Sequence, residues 1–297
     1  MHVRVGDSIL ALALATGARS LFVVGTGKNV GKTVAMRAMY DACLAREILP
    51  ALTSIGRDGE AVDAGDAQAK PRLFLRPGTI VATARDVLPR SPASEMLALS
   101  TLRTAAGTLV YARVRHAAHY ELVGPPTASG IREAVATLGS LAPYVIVDGA
   151  IDRIAALAGG EDAIVVACGA SASNTLDETV ADVRALVARL CVPKLERGND
   201  ALRIEGALTP SIAAELIRAG ERRSVVVADP TKIALAGHAA LHALERLDLR
   251  CERPLNVVAV TVASIGRDRS FEPARLLRDV AAATGVPTFD VYAASAA

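Results

Sequence analysis

The chain alternates short apolar runs with longer amphipathic stretches. The apolar runs lie at 20–24, 49–53, 144–148, 163–167, 224–228, 256–263 and 288–293. Stretches with helical periodicity separate many of them, among them TVAMRAMYDACLAREI, TLDETVADVRALVARL and EPARLLRDVAAATG. Alternation of this kind predicts an α/β fold, in which a mostly parallel, doubly wound sheet is covered by helices.

Two regions depart from this alternation. The segments PRLFLRPGTIVATA and GTLVYARVRHAAHYELVG predict strands joined by tight turns, so we expect an inserted, partly antiparallel β-rich section at about 70–125. The irregular stretch VPKLERGND, at 192–200, predicts a boundary between two portions. We therefore expect an N-terminal domain over 1–195 and a C-terminal α/β portion over 196–297, which can continue the same sheet.

Composition limits the classes of function. Hydrophobic residues make up 52% of the chain and aromatic residues only 3%, so the core must consist of Ala, Val, Leu and Ile. The 33 basic and 31 acidic residues give a net charge of +2, with no long run of either sign. An even charge distribution argues against a nucleic-acid partner, and the few aromatic residues argue against base stacking.

The apolar segments and the cysteines indicate the cellular compartment of the protein. The segment ILALALATGA near the N-terminus lacks a basic flank and is followed at once by a predicted strand, so we expect a helix and no signal peptide. No apolar run reaches the length of a membrane span, which predicts no membrane partner and a cytoplasmic location. The four cysteines are scattered, which predicts buried free thiols in a reducing compartment.

The segment SLFVVGTGKNVGKTVAMRAM has the composition of a phosphate-binding loop between a strand and a helix. Such a loop surrounds an anion with backbone N–H groups at the positive end of the helix. We expect Lys32 to reach the β- and γ-phosphates and the Thr33 hydroxyl to coordinate Mg²⁺. The usual spacing requires glycine at position 26, which is Thr26, and the glycine stands one residue earlier, at Gly25.

The widened loop GTGKNVGKT resembles that of dethiobiotin synthetase and of the cobyrinic and cobyric acid amide-forming synthetases. The resemblance implies a P-loop NTPase with a three-layer α/β/α fold, a bound ATP with Mg²⁺, and often a homodimer. The implied cofactor-binding residues are Gly25, Thr26, Gly27, Lys28, Asn29, Val30, Gly31, Lys32 and Thr33. No Asn-Lys-x-Asp element that reads guanine is found in the sequence, which favours ATP over GTP.

The same resemblance implies metal-binding carboxylates. The segment YVIVDGAID matches the acidic strand end of the family and places Asp148 there, where a Mg²⁺ ligand is required. A second metal-binding acid is implied after the second strand. Asp66, in GDAQ, matches it, and the neighbouring Asp58, Glu60 and Asp63 remain alternatives.

The chain also departs from the family. A Lys-Pro pair after the second strand serves the amine substrate of dethiobiotin synthetase, whereas this chain has SIGRDGE there, with Arg57 and Asp58. No glutaminase elbow surrounds Cys191 or Cys251. The residues therefore argue against dethiobiotin synthesis and against ammonia production on this chain. Arg57 favours an anionic partner, such as a small carboxylate metabolite.

Polar segments follow the predicted strands, and in open α/β sheets ligands bind at the carboxyl ends of the strands. SIGRD occurs twice, at 54–58 and 264–268. We expect Arg57, Arg153 and Arg267 to bind phosphate or carboxylate oxygens. Asn174 or Asp229 is expected to contact the base or the ribose. Thr127 or Ser129 is expected to cap a helix in GPPTASGIREAV.

These observations predict three alternative functions. The first is an ATP-dependent ligase or synthetase that activates a small anionic substrate, with Lys32, Arg57 and Asp58 as catalytic residues. The second is a nucleotide-dependent accessory protein, such as a maturation or reactivation factor for a cofactor-bearing enzyme. The third is a nucleotide-binding regulator without turnover.

Overall fold

A computed structural model describes residues 2–56, 72–149, 155–157, 161–196 and 200–292. The chain forms two compact units. The first contains Met1–Val23 and Lys32–Ala156, and the second contains Val24–Gly31 and Leu157–Ala297. These units do not coincide with the domain boundary predicted near residue 195, which stays a prediction.

The first unit is built around a sheet with parallel and antiparallel parts. The elements along the chain are α1 (His2–Ala15), β1 (Ser20–Gly25), α2 (Lys32–Ala45), β2 (Ala51–Ser54), β3 (Leu73–Leu75), β4 (Ile80–Ala84), β5 (Ser94–Thr104), β6 (Gly107–Val114), β7 (Ala118–Tyr120), α3 (Ala128–Leu141) and β8 (Val145–Asp148). The strands of the sheet in spatial order are β1, β8, β2, β4, β6 and β5, parallel as far as β4 and antiparallel from there. β3 and β7 form a separate antiparallel pair.

The helices α1 and α2 cross closely at Gly6. A Cβ atom at this position would lie 2.0 Å from the carbonyl oxygen of Ala38, so only glycine permits the observed contact. Arg46 Nε donates a hydrogen bond of 2.6 Å to Asp7 Oδ1 at the edge of the same interface. The predicted helix near the N-terminus is therefore present, and it packs against the helix that follows β1.

The second unit combines three strands of the largest sheet with a small sheet of its own. Its elements are β9 (Ala163–Gly169), α4 (Leu176–Leu190), β10 (Ala201–Arg203), α5 (Pro210–Arg218), β11 (Ser224–Val227), α6 (Gly237–Arg246), β12 (Leu249–Cys251), β13 (Asn256–Ala263), α7 (Pro273–Thr284) and β14 (Thr288–Asp290). β14, β13 and β9 are parallel neighbours. The Thr26 N–H donates to the Ala167 carbonyl at 2.9 Å, which holds the start of the loop beside β9 within this unit.

The small sheet consists of the parallel strands β10, β11 and β12. Its core contains Val225, Val227, Leu249 and Cys251 from the strands, together with apolar residues of α5 and α6. The elements β10, α5, β11, α6 and β12 therefore form a βαβαβ arrangement within the second unit.

The prediction of an α/β fold with an inserted β-rich section is confirmed. The described strands pair mostly in parallel, and the part of the chain that is described contains seven α-helices. This arrangement is compatible with a three-layer α/β/α fold. The predicted insertion corresponds to β3 to β7. Among the described helices, none is both long and apolar enough to cross a membrane.

Three of the four cysteines are buried, as the sequence predicted. All four thiols are free, and Cys43, Cys168 and Cys251 are buried. Burial raises the pKa of Cys43 and of Cys168 to about 12, so neither thiol supplies a thiolate at neutral pH. Cys191 is exposed at the C-terminal end of α4, so the prediction of burial is wrong for this residue.

Candidate functional site

The segment between β1 and α2 has the geometry of a strand–loop–helix turn. β1 is buried up to Gly25, and α2 begins at Lys32. Asn29 and Gly31 have positive φ angles, of 57° and 86°, which turn the chain back toward the start of the helix. Val30 is fully buried between them, whereas Lys28 is exposed. The first N–H groups of a helix have no partner within it, so this turn is suited to bind an anion.

Gly31 is required by both backbone conformation and space. Its φ of 86° is in the left-handed region, and a Cβ atom would lie 2.9 Å from the Ala263 Cβ. A second contact, of 3.4 Å, would be with Val291 Cγ2. The space at Gly31 is therefore limited by Ala263, at the end of β13, and by Val291, just after β14.

We predict that Gly31→Ala lowers the free energy of unfolding by about 1–3 kcal/mol, because alanine strains a left-handed position. Gly27→Ala is the matched control. Gly27 does not have a positive φ, and the nearest atom to an added Cβ is 3.6 Å away. Urea unfolding of both variants measures the difference. Equal stability of the two variants would contradict the loop conformation described here.

Asp148 lies at the carboxyl end of β8, beside the strand that leads into the loop. It pairs with Val23 of β1 on one side and with Ser54 of β2 on the other. The Gly149 N–H donates to the Val23 carbonyl at 2.8 Å, which fixes the end of the strand. The Asp148 residue is half-buried. The carboxylate is thus at the edge of the sheet where ligands of parallel α/β proteins bind.

Thr26 brings a buried oxygen atom to the loop. Its Oγ1 is buried and has no hydrogen-bond partner among the described residues, although its N–H is bonded to Ala167. A buried hydroxyl without a partner costs about 1–3 kcal/mol, so it calls for an explanation. A polar ligand seated in the loop would supply the partner.

A cavity of about 290 Å³ adjoins the loop within the second unit. We call it the loop pocket. It is lined by Lys28 and Asn29, by 170–174 after β9, and by 267–269 after β13. The structure therefore brings together three of the polar strand-end segments noted in the sequence, including the second SIGRD copy.

Hydrogen bonds hold the walls of the loop pocket together. Arg269 Nη1 donates to the Ser173 carbonyl at 2.7 Å and to Asn174 Oδ1 at 3.0 Å. The Arg267 N–H donates to Ser171 Oγ at 3.2 Å. A Cβ atom on Gly266 would lie 2.7 Å from the same Oγ, so glycine allows this close approach. Because Asn174 uses its oxygen for Arg269, its amide nitrogen is left as a donor toward a ligand.

The charge of the loop pocket favours an anionic ligand. Lys28, Arg267 and Arg269 line it, and Asp268 is the one acidic side chain among the lining residues. Guanidinium groups bind phosphate and carboxylate oxygens well. Sequence reasoning named Arg267 and Asn174 but missed Arg269, Ser171 and Ser173. Arg269 stands two residues after Arg267 in the same segment, and this spacing could have drawn attention to it.

The other predicted residues fall into two groups. Arg57, Asp58, Glu60, Asp63, Asp66 and Arg153 lie outside the described residues. Asp229 lies just after β11 in the small sheet, and its side chain is buried. Its carboxylate accepts a hydrogen bond from the Thr231 N–H and so caps a 3-10 turn. The same carboxylate pairs with Arg253 at 3.4 Å. These contacts give Asp229 a structural role in the small sheet.

Helix capping agrees with the prediction for GPPTASGIREAV. Thr127 Oγ1 accepts a hydrogen bond of 3.1 Å from the Gly130 N–H and so caps α3. Ser54 and Gly56, the described part of the first SIGRD copy, contact the start of this segment, since the Gly124 N–H donates to Ser54 Oγ at 3.2 Å and the Gly56 N–H donates to the Pro125 carbonyl at 2.9 Å. Among the described residues, no cluster of three or more His, Cys, Asp or Glu could hold a metal ion.

Comparison of the chain with protein-family models, with curated proteins and with solved structures finds no match.

Proposed function

We propose that the protein is a P-loop ATPase of the kind that dethiobiotin synthetase represents, and that it uses Mg·ATP to activate a small anionic substrate. The observation that carries this proposal is the turn between β1 and α2. A buried strand ends at Gly25, a loop with two left-handed residues follows, and a helix begins at Lys32. This is the local structure that cradles phosphate groups in P-loop proteins.

The residues of this turn have distinct roles in the proposal. The backbone N–H groups of the loop and of the first helical turn bind the phosphate oxygens. Lys32, the first residue of α2, neutralises charge on the β- and γ-phosphates. The Thr26 hydroxyl, buried and without a partner in the described part of the chain, hydrogen-bonds the nucleotide.

Two oxygen-bearing side chains of the first unit are suited to bind Mg²⁺. Thr33 offers a hydroxyl in the first turn of α2, and Asp148 offers a carboxylate at the end of the neighbouring strand β8. Hard cations such as Mg²⁺ prefer oxygen ligands of these two kinds. When bound, Mg²⁺ neutralises charge on the transferring phosphoryl group. Asp66, which lies outside the described residues, remains the proposed second carboxylate.

The proposed substrate is a small carboxylate or a related oxygen nucleophile. The cationic lining of the loop pocket supports an anionic ligand, and Arg57 and Asp58 of the first SIGRD copy are proposed as catalytic residues beside Lys32. In this proposal catalysis depends on positioning and charge neutralisation. We further propose that this reaction takes place in the cytoplasm.

The experiment is an ATPase assay with the purified protein, first alone and then with a panel of small carboxylate metabolites. We expect Mg²⁺-dependent turnover that one class of carboxylate stimulates. Turnover that only a partner protein stimulates would overturn the proposed enzyme and support an accessory protein. Failure to bind ATP at all would overturn nucleotide binding itself.

A further inference from the structure

Arg269 joins the loop after β13 to the loop after β9. Its Nη1 donates to the Ser173 carbonyl at 2.7 Å and to Asn174 Oδ1 at 3.0 Å. A guanidinium group carries donors and no acceptor, so it can bind only the oxygen end of an amide. The contact therefore fixes which way round the Asn174 amide lies and leaves the amide nitrogen for another partner.

The main chain of Asn174 is fixed as well. Its N–H donates to Glu178 Oε2 at 3.0 Å, and Glu178 forms the capping box of α4 with Thr175. In the part of the chain that is described, Asn174 Nδ2 makes no hydrogen bond. Because Asn174 lines the loop pocket, this nitrogen is a held donor on the pocket wall.

The other acceptors of this wall are also in use. The Ser173 carbonyl accepts from Arg269, and Ser171 Oγ accepts from the Arg267 N–H at 3.2 Å. A hydroxyl that accepts in this way keeps its own proton to donate. The wall from Ser171 to Asn174 therefore presents donors to the pocket, which suits a ligand with acceptor oxygens.

The charge of the loop pocket limits the ligand further. Three cationic side chains line it against one acidic side chain, Asp268, so two positive charges are in excess. The two groups that Arg269 binds are neutral, so they do not cancel its charge. A dianion balances this excess, whereas an ammonium group on the ligand is repelled by it. A dicarboxylate without an amine matches the pocket in both respects.

We propose that the loop pocket binds a dicarboxylate, with one carboxylate held between the Arg267 guanidinium and the Asn174 amide nitrogen, and that Arg269 is the positioning residue that orients this amide. The inference rests on the proposed function, since it names the class of the anionic substrate and the place where it binds. Guanidinium and amide N–H groups both donate to carboxylate oxygens, and hydrogen bonds to a charged acceptor are the stronger ones.

The first test measures the binding of glutarate, butyrate and glutamate to the purified protein without nucleotide, by saturation-transfer NMR. Butyrate lacks the second carboxylate of glutarate, and glutamate adds an ammonium group to it. We expect glutarate to bind with a dissociation constant at least about fivefold lower than that of either of the other two.

A double-mutant cycle tests the role of Arg269. Arg269→Lys keeps the charge but loses the planar fork that reaches both acceptors. Arg269→Lys and Asn174→Ala should each weaken glutarate binding by at least about fivefold. In the Asn174→Ala protein, Arg269→Lys should have no further effect, because the amide that it orients is gone. A role of Arg269 in the fold alone would weaken binding in both backgrounds.

Arg278→Lys is the matched control for Arg269→Lys. Arg278 is exposed on α7 and does not line the loop pocket. Glutarate affinity should be unchanged in this variant. Thermal unfolding of all the variants checks that each is folded.

Three results would overturn the inference. They are glutarate binding no tighter than butyrate binding, an effect of Arg269→Lys that persists in the Asn174→Ala protein, and displacement of glutarate by adenosine, which would assign the pocket to the base. A titration with ATP separates this inference from the proposed function. ATP binding without glutarate binding removes the inference alone, whereas glutarate binding without ATP binding removes the nucleotide site and leaves the ligand class of the pocket.

Discussion

Lys32→Ala is expected to lower the rate of ATP hydrolysis by at least about a hundredfold, because it removes the cation that we propose neutralises the β- and γ-phosphates. Lys32 is the first residue of α2, directly after the left-handed Gly31, so its position depends on the helix and not on a loose surface segment. Nucleotide affinity should fall as well. Steady-state hydrolysis and calorimetric titration with ATP measure the two effects.

Lys232→Ala is the matched control for this variant. Lys232 carries the same charge, but it is exposed and stands in the 3-10 turn Pro230–Lys232, outside the loop and outside the residues that line the loop pocket. We expect Lys232→Ala to leave the rate of hydrolysis unchanged, because an exposed charge away from the site contributes little. A Lys32→Ala protein that binds ATP with full affinity would contradict the proposed role of the loop.

Asp148→Asn is expected to raise the Mg²⁺ concentration required for half-maximal hydrolysis by at least about tenfold. The substitution keeps the size of the side chain but removes the negative charge that attracts the cation. Asp148 ends β8 between Val23 and Ser54, so the backbone at the site should remain in place. Titration of the hydrolysis rate with MgCl₂ measures the shift.

The control for Asp148→Asn is Asp41→Asn on α2. Asp41 lies 3.9 Å from Arg37 in a surface ion pair, which is worth about 1 kcal/mol or less. Its removal should leave the Mg²⁺ requirement unchanged. If both variants have the wild-type Mg²⁺ requirement, Asp148 does not bind the metal and the proposed ligand set is wrong.

The sequence predicted the buried strands well because apolar runs flanked by polar turns are specific to them. The run at 256–263 coincides with β13, and the run at 20–24 with β1, whose end at Gly25 defines the start of the loop. The glycine spacing at Gly25 and Gly31 therefore predicted the strand–loop–helix turn that the structure contains. The assignment of a nucleotide to this turn stays a prediction.

Three strands could not be predicted in the same way. β10 and β12 are only three residues long, and their pairing with β11 in a separate sheet depends on contacts far apart in sequence. β5 has no residue that is buried, so its sequence lacks the alternation of a strand with one buried face.

The loop pocket was predicted in part, since Asn174 and Arg267 were expected to face a ligand. Arg269 was missed because its contact with Asn174 joins loops 95 residues apart.

The proposed function requires that the turn from Gly25 to Thr33 binds the phosphates of a nucleotide. A crystal structure of the protein with Mg²⁺ and a non-hydrolysable ATP analogue tests this requirement. We expect the β- and γ-phosphates within hydrogen-bond distance of the backbone N–H groups of this turn, with Lys32 in contact and the metal between Thr33 and Asp148. An analogue bound at any other place, with this turn empty, would contradict it.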